Sequence, residues 1–297
     1  MIPLPLRHTF APVQPDYITP EFLESFIRSA LNEDIGDGDH SSLAAIPEGA
    51  QTQARLLIKD EGILAGVAVA QAIFHFFDNR LAIDVFKTDG QSVKKGDIAF
   101  AVRGSARSIL TTERLVLNCM QRMSGIATKV RHFSDLIVGT DAVLLDTRKT
   151  TPNFRLLEKW AVLIGGGENH RIGLYDMIML KDNHVDMAGG IEKAIMATKD
   201  YLRARNKKLK IEIETRNLVE VKEVMRVGGV DIIMLDNMDI AEMTSAVRLI
   251  DGHFKTEASG NITESTIRGV AECGVDFISV GALTHSVKSM DLSLKAY

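Results

Sequence analysis

A chain of 297 residues, 45% hydrophobic and 25% charged, has the composition of a globular protein, with enough length to bury a sizeable core in one large domain or two modest ones. Its formal net charge of -4 lacks the basic excess of a nucleic-acid binder. Its two cysteines, Cys119 and Cys273, sit in apolar helical patterns without CxxC or Cys/His spacing, which supports neither a disulfide framework nor a structural zinc site.

In chain order, Met1–Pro20 is interrupted by Pro3, Pro5, Pro12, Pro15 and Pro20 and holds no continuous apolar run, so no secretory signal is expected. The most apolar stretch, Ile63–Phe77, contains Gln71 and His75 and is too short to span a bilayer; a cytoplasmic protein is expected. A helix is predicted to open after Thr19-Pro20, with Phe22, Leu23, Phe26, Ile27, Ala30 and Leu31 at helical spacing. Alternation at Ala54, Leu56, Ile58 and at Leu81, Ile83, Val85 predicts strands, with a helix over Val67–Phe77 between them. Asp89-Gly90 signals a turn and Ile98–Val102 a further strand, which makes residues 1–115 a mixed α+β domain. A long helix from Ser105 to Val138 follows, with a break or kink expected at Ser124-Gly125.

Over residues 116–285 the pattern changes. Short apolar runs at Val143–Leu145, Met177–Leu180, Ile211–Ile213, Ile232–Leu235, Phe254–Thr256 and Phe277–Val280 alternate with helical segments. That alternation predicts a parallel sheet with crossover helices, and its spacing suits an α/β barrel. An open doubly wound sheet is the alternative, although no GxGxxG turn follows a first strand.

The carboxyl ends of barrel strands face one mouth, where active sites are built. Here the apolar runs lead into Asp146–Thr150, Lys181–His184, Glu214, Asp236-Asn237, Glu257–Gly260 and Gly281-Ala282. Arg148, Lys149, His170, Arg171 and Lys181 would concentrate positive charge there, a costly arrangement that an anionic ligand would relieve. Glu214 and Asp236 supply carboxylates that suit a divalent metal or a developing positive charge at a sugar carbon. Glu212, two residues before Glu214, faces the same side of its strand. Ser259-Gly260-Asn261 and Gly281-Ala282 bring small residues whose backbone N–H groups can approach a phosphate, with Thr263 or a neighbour capping the next helix. The triple glycine Gly165–Gly167 lacks the Lys-Ser/Thr of a P-loop and reads as a flexible or tight loop presenting His170 and Arg171. A lysine at a strand end beside a phosphate site would also suit a Schiff-base aldolase.

Three motifs, Asp146-Thr147-Arg148-Lys149-Thr150-Thr151-Pro152, Gly165-Gly166-Gly167-Glu168-Asn169-His170-Arg171 and Lys181-Asp182-Asn183-His184, closely resemble the quinolinate phosphoribosyltransferase family. Thr112-Glu113-Arg114, Ser124–Thr128, Met234–Asn237 and Ser279–Ser286 add to the resemblance, which spans Glu33 to Leu292. It implies an N-terminal mixed domain, rejoined by the tail 286–297, and an incomplete α/β barrel of the seven-stranded type. It also implies transfer of phosphoribosyl from its pyrophosphate to quinolinate with loss of CO2, in NAD biosynthesis. By resemblance, Arg148, Lys149, His170, Arg171 and Lys181 line the substrate pocket, and Lys149, Lys181, Glu214 and Asp236 serve catalysis. Glu214 and Asp236 would hold Mg2+, and Ser259, Gly260, Gly281 and Ala282 the 5-phosphate. Arg114 would enter the neighbouring subunit of a homodimer or larger assembly. A relative acting on another acceptor is the nearest alternative. Asn153 stands where glycine is frequent and Trp160 where tyrosine is usual.

Overall fold

A computed structural model describes residues 14–297; the proline-rich opening up to Val13, on which part of the signal-peptide expectation falls, lies outside them. In chain order the elements are α1 (Pro20–Ile35), α2 (His40–Ala45), β1 (Gln51–Ile58), β2 (Gly62–Ile63), α3 (Val67–Phe77), β3 (Ala82–Val85), β4 (Ser92–Val93), β5 (Ile98–Ser105) and α4 (Ala106–Leu136). Then come β6 (Val143–Leu145), α5 (Arg155–Gly165), β7 (Ile178–Leu180), α6 (Asp182–Ala188), α7 (Ile191–Ala204), β8 (Ile211–Thr215) and α8 (Leu218–Val227). The chain ends with β9 (Ile232–Asp236), α9 (Ile240–Ile250), β10 (Lys255–Ser259), α10 (Ile267–Glu272), β11 (Phe277–Ser279), α11 (Ala282–His285) and β12 (Leu292–Ala296). Among the described residues no helix is long and apolar enough to cross a membrane.

These elements form two compact units. Unit 1 takes the described residues up to Arg131 with Thr151–Gly166 and Ser286–Tyr297; unit 2 takes His132–Thr150 and Gly167–His285. The chain therefore divides at 131/132 rather than 115/116, and α5, assigned from the sequence to the barrel, belongs to unit 1. The reason lies in side chains far apart in sequence: Arg122 on α4 donates from Nε to the buried Glu158 carboxylate on α5 at 2.9 Å.

In unit 1, α1 begins where Thr19-Pro20 predicts it. Thr19 Oγ1 accepts from the Phe22 N–H at 3.1 Å, satisfying a donor that the first helical turn leaves without a partner. The antiparallel sheet runs β12-β1-β5-β3, with Leu56 beside Leu294 and Ile58 beside Leu292. Alternation in β1 buries Ala54, Leu56 and Ile58 on one face, and Phe74 of α3 meets Phe100 of β5 edge-on with ring centres 6.0 Å apart. The expected kink at Ser124-Gly125 is absent, because α4 continues through both residues. Both serve packing instead. Ser124 Oγ accepts from Ala65 N and donates to Ala65 O, while a Cβ on Gly125 would collide with the carbonyl oxygen of Lys288. Asn153 has φ 62°, the left-handed region that glycine adopts freely and asparagine tolerates, so it fits a glycine position. Trp160 is buried as packing.

Unit 2 holds a six-stranded, all-parallel sheet in the order β6-β11-β10-β9-β8-β7. From β7 to β11 the strands lie side by side in chain order, without the reversal of a doubly wound sheet, so the barrel reading stands. Six strands form where seven were expected. The further position, outside β6, shrinks to a single parallel bridge between Leu145 and Glu168, with Glu168 N donating to Leu144 O at 2.8 Å. The preceding glycines explain the shortness: Gly165 ends α5 and Gly166 caps it in the left-handed region, so extended chain begins only after Gly167. The β10 strand starts one residue later than the apolar run suggests and continues three residues further, to Ser259, because its core-facing residue is a glutamate, the fully buried Glu257.

Candidate active site

In unit 2 the parallel register aligns the carboxyl ends of the strands, as in Ser259 beside Asp236 and Thr215 beside Leu235. Side chains at and just after these strand ends of unit 2 therefore meet at one mouth. Four linked groups make up the site.

The first forms its floor. Asp146, fully buried after β6, accepts the His170 N–H at 2.9 Å and the Asn169 side-chain amide at 2.7 Å. These bonds fold the segment after the triple glycine inward. His170 Nε2 then lies 2.8 Å from Glu212 Oε2 on β8 and 3.5 Å from Glu257 Oε2 on β10. Burial pushes both carboxyls up, Glu212 to about 7 and Glu257 to about 8, with the neighbouring Glu212 raising Glu257 further.

Above them lie the cations. Arg171 is buried and donates from one terminal nitrogen to Met177 O at 3.2 Å. Burial and the nearby Arg148 guanidinium both push its pKa down, so the pocket disfavours its charge. The Nε of Arg148 and the Nε of Arg171 are buried and make no hydrogen bond. Such donors cost free energy unless a ligand accepts from them. Two guanidinium groups close enough to repel, each with an unsatisfied buried donor, are the arrangement an anion would relieve.

Carboxylates make up the third group. Lys181, at the end of β7, donates from Nζ to Glu214 Oε1 at 2.9 Å, and Glu214 Oε2 accepts Asp182 N at 3.3 Å. Burial, then repulsion from Glu214, raises the Asp236 pKa. Two crowded carboxylates with hard oxygen donors suit a divalent cation such as Mg2+, which would offset that repulsion. The Lys181 side chain is half exposed and ion-paired, unlike the desolvated lysine of a Schiff-base enzyme.

The fourth group joins Asp236 to the small-residue loops. Asn237, at φ 54°, donates from Nδ2 to Asp236 Oδ2 at 2.8 Å, while its Oδ1 accepts from Asn261 Nδ2 at 3.1 Å. That Oδ1 fills the space where a Cβ on residue 260 would be, so only Gly260, at φ 95°, fits the turn. On the opposite side Lys149 runs across Gly281: a Cβ there would lie 2.9 Å from the lysine Cδ. Thr284 Oγ1 donates to Lys149 O at 2.8 Å, and Gly281-Ala282 opens the short α11. Ser259-Gly260 leads into a loop rather than directly into a helix. The cap of α10 is Thr266, whose hydroxyl accepts Thr263 N, and not Thr263 itself.

Unit 2 thus gathers Arg148, Lys149, His170, Arg171, Lys181, Glu214, Asp236, Ser259, Gly260, Gly281 and Ala282 at or beside one mouth. Arg114 is different: it lies exposed on α4 in unit 1. Asp146, Asn237 and Glu257 carry no role predicted from the sequence. Period-two alternation offers a signal for Glu257, which stands two residues before Ser259 as Glu212 stands before Glu214.

Comparison with known proteins agrees over almost the whole chain. Residues 39–124 match the family described as quinolinate phosphoribosyl transferase, N-terminal domain, and residues 126–295 match its C-terminal domain. A chloroplastic nicotinate-nucleotide pyrophosphorylase [carboxylating] of Oryza sativa is 46% identical over 96% of this chain and 80% of its own length. A probable nicotinate-nucleotide pyrophosphorylase [carboxylating] of Bacillus subtilis is 39% identical over 92% of each. The crystal structure of NadC from Streptococcus pyogenes superposes with a TM-score of 0.89 at 39% identity, over 95% of this chain and 98% of that one.

Proposed function

The chain belongs to the quinolinate phosphoribosyltransferase family, and from that premise we propose how its own residues carry the reaction. The enzyme moves the phosphoribosyl group of phosphoribosyl pyrophosphate to quinolinate, giving nicotinate mononucleotide, pyrophosphate and CO2 in NAD biosynthesis. The observation that carries the site reading is the pair of buried, unpartnered Nε–H donors on Arg148 and Arg171.

In this reading Arg171 and Arg148 take the two carboxylates of quinolinate, and Lys149 and Lys181 face the pyrophosphate side of the donor. Arginine matches a carboxylate with parallel hydrogen bonds, which orients the ring nitrogen towards the ribose C1. As the nitrogen attacks, the C1–pyrophosphate bond breaks and positive charge develops on the sugar. Glu214 and Asp236 stabilise that charge and hold the ribose hydroxyls. Mg2+ bound at these two carboxylates would neutralise phosphate charge on the donor. The 5-phosphate rests against the backbone of Ser259, Gly260, Gly281 and Ala282. Once the ring nitrogen is cationic, the C2–carboxylate bond breaks, its electron pair stays at C2, and CO2 leaves. A proton then joins C2, and the ammonium groups of Lys149 and Lys181 are the donors in reach of the mouth. No covalent enzyme intermediate is needed, because the cations act by placement.

Donor binding as a function of Mg2+, measured by calorimetry on wild type and Glu214→Gln, tests this assignment. The variant is expected to bind phosphoribosyl pyrophosphate more weakly and to need more Mg2+; an unchanged Mg2+ dependence removes the metal from Glu214 and Asp236. Arg114 is assigned to the neighbouring site of a homodimer or larger assembly. Mixing inactive Arg114→Ala and Lys181→Met subunits should then restore activity, and no recovery would return Arg114 to a role within its own subunit. The assigned location is the cytoplasm, which recovery of the native protein in an organelle fraction would overturn.

A further inference from the structure

Beneath the cationic pocket lies a group that the reaction above does not use. Glu212 and Glu257 enter the interior of unit 2 from β8 and β10, on either side of β9, where Ile232 lies beside Glu212 and Met234 beside Glu257. Both glutamates are fully buried, and His170 is nearly so. Glu212 Oε1 and both oxygens of Glu257 make no hydrogen bond, although Glu257 Oε2 stands 3.5 Å from His170 Nε2. Two fully buried carboxyl groups are costly even with His170, Arg171 and Ser279 near them, and apolar residues of similar volume are expected to leave the barrel as stable or more so. Their arrangement shows what they hold. The His170 main chain is fixed by Asp146 and its ring tip by Glu212 at 2.8 Å, with Glu257 flanking the same nitrogen. The next residue is Arg171, whose guanidinium reaches Met177 O.

We propose that Glu257, together with Glu212, is a positioning residue for the acceptor: the pair anchors the His170 ring and so sets Arg171 where it meets quinolinate. The inference rests on the assignment of Arg171 to quinolinate. A metal on the same three side chains is the rival occupant, since their ligand atoms lie within 4.8 Å of one another. The 2.8 Å between Nε2 and Oε2 is a hydrogen-bond distance. Nitrogen and oxygen ligands around a tetrahedral zinc would stand about 3.3 Å apart.

The test uses the full-length enzyme with Glu257→Met, Glu212→Met and Glu257→Gln, and with Arg171→Met as reference. Quinolinate and donor KM, kcat, melting temperature and metal content are measured for each. Either methionine variant is expected to raise the quinolinate KM about tenfold or more, the loss of one charge-assisted hydrogen bond to the acceptor from a displaced Arg171. The donor KM should stay within about twofold, and the melting temperature should hold or rise. Glu257→Gln, which keeps an acceptor oxygen in place, should recover most of the affinity for quinolinate. Parallel loss for both substrates, or a fall in melting temperature in both methionine variants, would reduce the pair to a structural role and overturn the proposal. One equivalent of divalent metal in wild type, lost in Glu257→Met, would overturn it in favour of a metal centre. If Arg171→Met raises the quinolinate KM while the glutamate variants are silent, only the positioning role falls; if Arg171→Met is itself silent, the acceptor assignment beneath it falls.

Discussion

Replacing Arg171 by methionine removes the guanidinium and keeps the side-chain stem, which separates recognition from packing. The guanidinium is buried with an unsatisfied Nε–H, and its charge is disfavoured by burial and by Arg148. Each hydrogen bond to a charged partner is worth about 1.5–3 kcal/mol, so two bonds to one carboxylate amount to roughly 3–6 kcal/mol. That corresponds to a loss of about 10²- to 10⁴-fold in kcat/KM for quinolinate. Stability should move the other way or not at all, because a methionine of similar volume carries no charge into the interior. Steady-state kinetics with each substrate varied in turn, beside a thermal melt, reads both effects. Arg171→Lys should recover little, since an ammonium cannot make the paired contact. A loss under about fivefold, or an equal loss for quinolinate and donor, would refute the assignment of this arginine to the acceptor.

Gly260→Ala forces a Cβ against Asn237 Oδ1 at a left-handed φ, and should raise the donor KM by tenfold or more, about the 1–3 kcal/mol of a strained backbone, while sparing quinolinate affinity. Equal effects on both substrates would move the phosphate away from this turn. Burial holds the Glu257 carboxyl near 8 against an ordinary 4.5, so between those values the unfolded chain releases a proton that the folded chain keeps. Its contribution is full below 4.5 and is lost as pH rises through about 8; wild type should lose more denaturant resistance than Glu257→Gln between about pH 5 and pH 8, and parallel curves would contradict this. Glu158→Ala strips the partner from Arg122 and from the Thr151 N–H and hydroxyl, and should cost about 3–5 kcal/mol in chemical denaturation; a loss below about 1 kcal/mol would mean that water replaces the carboxylate.

Much of this was legible in the sequence because it is local. The helix over Val67–Phe77 follows from its apolar spacing, and the start of α1 from Thr19-Pro20. The charged residues at or next to the ends of β7, β8 and β9, Lys181, Glu214 and Asp236, follow from short apolar runs that stop at charged side chains. What escaped depends on contacts between distant segments. Gly125 looks like a helix breaker until the Lys288 carbonyl is set against it, and α5 looks like a barrel helix until Arg122 meets Glu158. His170 reads as a pocket residue by its neighbours, yet its Nε2 turns into the floor, because two strands place glutamates there that only tertiary structure brings together.

Acceptor choice turns on recognition of two carboxylates by two arginines, and one measurement tests that most directly: mononucleotide and CO2 formed by the purified enzyme with Mg2+ and phosphoribosyl pyrophosphate, with quinolinate and nicotinate in parallel. The prediction is stoichiometric CO2 and mononucleotide from quinolinate and little product from nicotinate, which leaves one arginine without its partner. Comparable turnover of nicotinate would contradict the two-carboxylate site while leaving phosphoribosyl transfer in place.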